Sequence, residues 1–178
     1  MILYHGSNVA VSAIQLSKCR PNKDFGRGFY ATTLYFQAVK MPRRVARRFG
    51  GLPYVSSFFL EDDFQEKNDV VIRVFTEAKI DWAMFVMNNR NPQSTPVKGY
   101  EDNNLDGKYD IVTGPVANDD LSMIFRLFER GIMSLETLLQ EMKYRDLSNQ
   151  YSFHTERAVA LLQYKGSENV QPKAENDD

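Results

Sequence analysis

The chain has 178 residues and a mass of 20.5 kDa, with 43% hydrophobic, 12% aromatic and 25% charged residues. This length suits one domain with a buried core, and the composition excludes a fibrous or wholly disordered protein. No apolar run is long enough to span a membrane and no secretory signal is visible, so we expect a cytoplasmic protein. A single cysteine excludes an internal disulfide and, with two histidines, argues against a structural zinc site.

Hydrophobic periodicity predicts an ordered series of strands and helices. The first half contains predicted strands at 2–5, 28–32, 54–60 and 70–75, helices at 9–16 and 34–49, and a loop at 17–27. The second half contains predicted helices at 78–88, 121–128, 135–144 and 156–162, a polar loop at 89–100, and strands at 109–116 and 151–155. Because these elements intermix without regular βαβ alternation, we predict an α+β fold. The domain should cover residues 1–165, followed by a disordered acidic tail at 166–178.

The predicted helix at 34–49 has two unusual features. Pro42 lies inside it and should cost about 3 kcal/mol or kink the helix. Its polar face carries five cations, and no acidic residue occurs between Phe25 and Leu60. These cations are Lys40, Arg43, Arg44, Arg47 and Arg48. They could contact the nucleic-acid backbone or a phosphate-bearing ligand, and an ordinary solvated face is at least equally consistent with the pattern.

Two short motifs contain residues suited to ligand binding. The sequence His5-Gly6-Ser7 ends the first predicted strand, where a histidine can hydrogen-bond and a glycine exposes its backbone groups. In the sequence FGRGFY at 25–30, two glycines bracket Arg27, which can meet a phosphate bidentately. Taken alone, each motif also fits a purely structural turn or strand end.

A third motif lies late in the chain, at 149–156. Strand alternation places Gln150, Ser152 and His154 on one face, opposite Tyr151 and Phe153. Such a face is either exposed to solvent or lines a polar cleft.

Together, the three motifs resemble those of the ADP-ribosyltransferase superfamily, in the H-Y-[EDQ] branch that includes the poly(ADP-ribose) polymerases. The residues His5-Gly6-Ser7 resemble its first-strand motif, and FGRGFY resembles its Phe-Gly-Lys-Gly-Ile-Tyr. The sequence Asn149-Gln150-Tyr151 resembles the Asn-Glu-Tyr that opens its late catalytic strand. More closely, the chain resembles a bacterial group, the domain-of-unknown-function family 3990.

The resemblance implies an ADP-ribosyltransferase-like fold, with split antiparallel sheets and NAD in the cleft between them. It implies that backbone groups of Gly6 hold the nicotinamide carboxamide, and that His5 and Ser7 bind the adenosine-side ribose. Tyr30 would stack on the nicotinamide, and Gln150 would take the place of the catalytic glutamate. The loop at 17–27 would cover NAD, with Arg27 and Gly28 among the binding residues.

Gln150 is the point at which the chain departs from the family pattern. An amide can bind a ribose hydroxyl, but it neither accepts a proton nor carries a stabilising charge. Glu156 is the reserve candidate, although strand geometry puts it roughly 20 Å along the chain from Gln150. His154 lies about 13 Å along the same strand, where an acceptor-side or structural role is expected.

The function implied by the resemblance is transfer of a single ADP-ribose from NAD to a protein or nucleic acid. Bacterial relatives of this fold suggest a toxin, whose partner would be a cognate antitoxin-like protein. The alternative is an inactive or weakly active module that binds NAD or ADP-ribose and acts through a partner. Nucleic-acid binding through the 40–48 face is a third hypothesis.

Overall fold

The computed structural model describes residues 1–67, 69–143 and 147–171. The chain divides into two compact units. Of the described residues, 1–14, 30–67 and 160–171 form unit 1, and 15–29, 69–143 and 147–159 form unit 2. The described residues form two sheets and six α-helices, which confirms the α+β class.

Unit 1 contains an antiparallel three-stranded sheet. Its strands are β1 (Ile2–Ser7), β3 (Tyr54–Phe59) and β7 (Gln163–Asn169), in the order β1-β3-β7. Helix α1 (Tyr35–Phe49) and the short helix α2 (Phe64–Lys67) belong to the same unit. Ala38 of α1 packs with Val55 and Val170 in a buried cluster, beside the partly buried Tyr4 and Val39.

Helix α1 agrees with the predicted helix at 34–49. It ends where Gly50, with φ of 77°, donates its backbone N–H to the carbonyl of Ala46. This conformation favours glycine at the end of a helix. Pro42 is buried within the helix, whose assignment is uninterrupted from residue 35 to residue 49.

Strand β7 corrects the predicted tail. We expected disorder from Gly166, but residues up to Asn169 pair with β3 and Val170 is buried. Most β7 side chains are exposed or half-buried, so the strand shows no hydrophobic alternation. Backbone hydrogen bonds at a sheet edge do not need such a pattern. The remaining tail prediction, for 172–178, lies outside the described residues.

The second sheet is mixed, which corrects the expectation of two antiparallel sheets. Its strands are β2 (Phe29–Ala31), β4 (Ile72–Val74), β5 (Ile111–Pro115) and β6 (Asn149–Phe153), in the order β2-β6-β5-β4. Strand β6 runs antiparallel to β5, whereas β4 runs parallel to it. The long connection from β4 to β5 includes helix α3 (Ile80–Arg90), and such a crossover permits parallel pairing.

Helix α3 lies at the core of unit 2. It is buried on nearly every side, and its Trp82 ring contacts Phe125 with centroids 5.9 Å apart. Trp82 also donates its indole N–H to the carbonyl of Pro115 at 3.1 Å. The helix thereby anchors the end of β5, the strand that pairs with β6.

The remaining helices are α4 (Asp119–Glu129), α5 (Leu135–Lys143) and α6 (Glu156–Val159). The Ser134 hydroxyl accepts the Thr137 backbone N–H at 3.2 Å and so caps the N-terminus of α5, a role that its residue type and place before the apolar stripe predict. The predicted helix at 9–16 is wrong, since only a 3-10 turn at Leu16–Lys18 forms there. No helix in the described ranges is long and apolar enough to cross a membrane.

Candidate functional site

His5 and Tyr30 meet in unit 1, although 25 residues separate them in the sequence. Reciprocal backbone hydrogen bonds between Tyr4 and Thr32, at 2.8 and 3.0 Å, hold the two segments together. His5 Nδ1 then donates to the carbonyl oxygen of Tyr30 at 2.6 Å. Because a carbonyl oxygen only accepts hydrogen bonds, Nδ1 is the nitrogen that carries the proton in this contact. The structure therefore brings together two of the three predicted catalytic residues.

Steric packing between β1 and α1 requires a glycine at position 6, independently of the role that the predicted motif gives to Gly6. A Cβ at this position would lie 2.3 Å from the carbonyl oxygen of Ala38 and 2.6 Å from Pro42 Cδ. Pro42 has no N–H and cannot bond the carbonyl four residues before it, which is that of Ala38. The carbonyl that the proline leaves without its helical donor thus approaches the backbone of Gly6. Pro42 in α1 and Gly6 in β1 are therefore sterically complementary, because the close approach of the helix leaves no room for a Cβ at position 6.

Ser7 is the last residue of β1 and pairs with Tyr54 of β3. It is half-buried, as are His5 and Tyr30. Unit 1 therefore contains four of the predicted binding residues, which are His5, Gly6, Ser7 and Tyr30.

Gln150 lies on β6 in unit 2 and is held by a buried carboxylate. Its Nε2 donates to Asp24 Oδ2 at 2.8 Å. The same oxygen accepts the backbone N–H of Ala117 at 3.0 Å. Asp24 Oδ1 accepts from Nε and Nη2 of Arg90 at 3.0 and 2.7 Å. Four donors thus surround a carboxylate that is only 11% exposed.

Asp24 is the residue that sequence reasoning missed. It begins the stretch that contains FGRGFY, but its neighbours in the sequence gave no reason to connect it with Gln150, 126 residues later. The available signal was an isolated acid in a basic loop, where Lys18, Arg20, Lys23 and Arg27 are the other charged residues.

Arg27 is exposed and closes the 17–27 loop in unit 2. Its Nη1 donates to the carbonyl oxygens of Cys19 at 2.7 Å and Ser17 at 3.4 Å. These contacts give Arg27 a role in the shape of the loop. Its predicted role in phosphate binding stays a prediction.

Gly28 provides space for His154. A Cβ on Gly28 would lie 2.6 Å from His154 Nδ1, the nitrogen that donates to the Arg27 carbonyl at 2.7 Å. The other ring nitrogen lies 2.8 Å from Ser152 Oγ. Burial lowers the pKa of His154, against opposing effects of the Arg27 carbonyl and the Asp110 carboxylate. The geometry indicates a structural role for His154, as one of the two sequence hypotheses expected.

Glu156, the reserve candidate, is exposed and begins α6. Strand β6 has already ended at Phe153, two residues earlier than predicted. Glu156 therefore belongs to the element that follows the Gln150 strand.

The five cations of α1, from Lys40 to Arg48, are all exposed. Lys40 and Arg48 lie over the rings of Phe36 and Phe49, with the cation 5.4 and 5.2 Å from the ring centroid. Arg43 donates from Nε to the carbonyl of Val170 at 3.0 Å. The face combines positive charge with exposed aromatic rings.

The fold and these contacts define an α+β protein with a histidine–tyrosine contact in one unit and an amide–carboxylate contact in the other. The model of a protein family of unknown function, DUF3990, matches residues 1–164, and the chain belongs to this family. This confirms the closer of the two resemblances. Comparison with curated proteins gives no match, and comparison with solved structures gives none either.

Proposed function

We propose that this chain is an ADP-ribosyltransferase that uses NAD as substrate and transfers a single ADP-ribose to a macromolecule. The observation that carries the proposal is the hydrogen bond from His5 to the Tyr30 carbonyl. It joins two residues that belong to separate sequence motifs and fixes the orientation of the His5 ring relative to Tyr30. The order and content of the three motifs provide further support.

In the proposed reaction, the bond between ribose C1′ and the nicotinamide nitrogen breaks, and nicotinamide leaves as a neutral molecule. Positive charge develops on the ribose, as it does in glycoside hydrolysis. A nucleophilic oxygen or nitrogen of the acceptor then bonds to C1′ and releases its proton. Rigid positioning of the ribose and the leaving group supplies much of the rate enhancement in such a reaction.

The proposal gives each of the candidate site residues its own role in binding NAD. Tyr30 stacks on the nicotinamide, backbone groups of Gly6 bind its carboxamide, and His5 and Ser7 bind ribose hydroxyls. Gln150 binds the 2′-hydroxyl of the other ribose through its amide. Because an amide does not accept the acceptor's proton, the acceptor must be nucleophilic already, and this favours single transfer over chain elongation.

The proposal is tested by titrating NAD into the protein calorimetrically while nicotinamide release is followed on the same samples. Wild type should bind NAD and release nicotinamide slowly. Tyr30→Ala should weaken binding by about 5- to 150-fold, because stacking of a base on an aromatic ring is worth about 1–3 kcal/mol. Tyr164→Ala is the matched control, since Tyr164 is 42% exposed, belongs to unit 1 and lies outside the motifs.

Gln150→Ala should abolish turnover while NAD still binds. Turnover that survives Gln150→Ala but not Glu156→Ala would transfer the catalytic role to Glu156. Absence of NAD binding in the wild type would overturn the proposal.

The second candidate function is a module that binds NAD or ADP-ribose and acts through a protein partner. The presence of an amide at position 150, already engaged by Asp24, favours it. Binding of NAD without nicotinamide release, even when cell extract supplies acceptors, would support this candidate over the enzyme.

A toxin role, with an antitoxin-like partner, is part of the enzyme proposal. It predicts that expression of the wild type slows growth of a bacterial host and that Tyr30→Ala expression does not.

The exposed cations of α1, from Lys40 to Arg48, predict a separate property, which is nucleic-acid binding that weakens steeply as the salt concentration rises.

A further inference from the structure

We infer that Asp24 is a positioning residue for Gln150, and that its buried carboxylate is the reason an amide occupies position 150. The role given to Gln150 rests on the proposed function. The coupling between the two side chains rests on their contacts alone.

The Asp24 carboxylate requires a hydrogen-bond donor at the position that the Gln150 amide nitrogen occupies. Oδ1 is occupied by Arg90, and Oδ2 receives the Ala117 N–H and the Gln150 Nε2. Arg90 is itself fixed, because Nη1 donates to Ser122 Oγ at 2.6 Å and Nη2 to the Ala117 carbonyl at 2.8 Å. The carboxylate therefore has little freedom to move away from position 150.

This contact determines the orientation of the Gln150 amide. A carboxylate only accepts hydrogen bonds, so the atom at 2.8 Å from Asp24 must be the nitrogen. The carbonyl oxygen of Pro115, 3.5 Å from the same nitrogen, imposes the same orientation. Oε1 is thus the atom that Gln150 offers to a ribose 2′-hydroxyl, and Asp24 keeps it available as an acceptor.

A carboxylate at position 150 would oppose this arrangement. Two ionised carboxylates at hydrogen-bond distance repel each other, and one of them then binds a proton. Among the described residues, the charged groups hydrogen-bonded to this pair are Asp24 itself, from the loop before β2, and Arg90, whose contact with Asp24 is made through Oδ1. Gln150→Glu is therefore not a simple restoration of the family's glutamate.

The first test is the urea midpoint of Gln150→Glu between pH 4 and pH 8. The interaction with Asp24 raises the pKa of the introduced carboxyl above the value of about 4.3 that it has in the unfolded chain. Stability should be near that of wild type at pH 4 and fall as the pH rises through the raised pKa. Gln140→Glu, on the exposed surface of α5, should follow the wild-type profile.

The double variant Asp24→Asn with Gln150→Glu should lose most of this pH dependence, because the introduced amide can donate to the introduced carboxylate. It leaves the Ala117 N–H facing a donor, so a uniform loss of stability is expected in addition. A Gln150→Glu profile that parallels wild type would overturn the inference.

The second test is nicotinamide release by Asp24→Asn. Loss of a positioning partner should slow release by about tenfold or more. Asp110→Asn is the matched control, since Asp110 is also a buried, arginine-paired carboxylate of unit 2 and does not contact Gln150 in the hydrogen bonds described. Measured below the unfolding temperature of both variants, Asp110→Asn should stay within twofold of wild type.

If Asp24→Asn and Asp110→Asn slow nicotinamide release equally, Asp24 has only a structural role and the inference is overturned. If the wild type neither binds NAD nor releases nicotinamide, the proposed function fails. The pH profile of Gln150→Glu then decides by itself whether Asp24 controls the residue at position 150.

Discussion

Gly6→Ala should destabilise the protein before it affects any ligand. The added Cβ would lie 2.3 Å from the Ala38 carbonyl oxygen, and real Cβ atoms essentially never come closer than 3.0 Å, so strand or helix must shift. The second contact, 2.6 Å to Pro42 Cδ, is with a rigid ring. Overpacking of this kind costs about 3 kcal/mol at the upper end of the usual range.

The smaller conformational freedom of alanine in the unfolded chain offsets about 0.5–1 kcal/mol of that cost. The net loss should therefore be about 2 kcal/mol, which lowers the unfolding temperature by about 4–8 °C for a chain of this size. Urea and thermal unfolding followed by circular dichroism measure both quantities.

Gly107→Ala is the control for backbone strain without a steric contact. Gly107 has φ of 72° and nothing near the position of a Cβ, so only the strain of that conformation is added. Adding Pro42→Ala to Gly6→Ala should recover part of the loss, because it removes the ring contact and lets residue 42 donate to the Ala38 carbonyl. The reasoning is refuted if Gly6→Ala costs no more than Gly107→Ala.

Gly6 has two roles that activity measurements on Gly6→Ala must separate. The motif resemblance gives Gly6 a role in nicotinamide binding, whereas the structure gives it a role in helix packing. Loss of NAD binding in Gly6→Ala supports the first role only if the variant is still folded at the assay temperature.

Three further results are expected. Gly28→Ala should cost about 1–3 kcal/mol in urea unfolding, because its Cβ would lie 2.6 Å from His154 Nδ1 and 2.8 Å from the Phe153 carbonyl oxygen; unchanged stability would contradict this close packing. Burial lowers the folded-state pKa of His154, so stability should be complete above its unfolded value of about 6.5 and decrease as the pH falls below it. His154→Gln should flatten that part of the profile, and an unaltered slope would contradict the assignment. Burial tends to raise the pKa of Asp110, but hydrogen bonds led by that from Arg157 lower it overall. The stability this provides should be lost below about pH 4, and Asp110→Asn should remove that loss while costing about 1.5–3 kcal/mol at pH 7.

The positions of several elements could be predicted from local pattern alone. The apolar stripe of α1, the Gly50 that ends it and the Ser134 cap of α5 depend on neighbours within a few residues. The approximate position of β5, whose five residues are all buried, was equally visible, because buried strands are rich in apolar and β-branched residues. Strand β1 was visible from the apolar residues with which it begins. The motif around His5 could also be recognised from sequence alone.

Features that depend on distant residues required the tertiary structure. The polar strand β7 forms because β3 offers a row of backbone partners, and no side-chain pattern encodes such an edge. The parallel direction of β4 follows from how α3 crosses back to the sheet.

The candidate site residues also divide into those that sequence alone suggested and those that only the tertiary structure revealed. Sequence alone suggested His5, Tyr30 and Gln150 as candidates, because their residue types and order resemble those of a known family. It gave no indication that Gly6 and Pro42 fit each other, or that Asp24 holds the amide of Gln150. Both are contacts between groups far apart in the chain, and only folding brings such groups within hydrogen-bond or van der Waals distance.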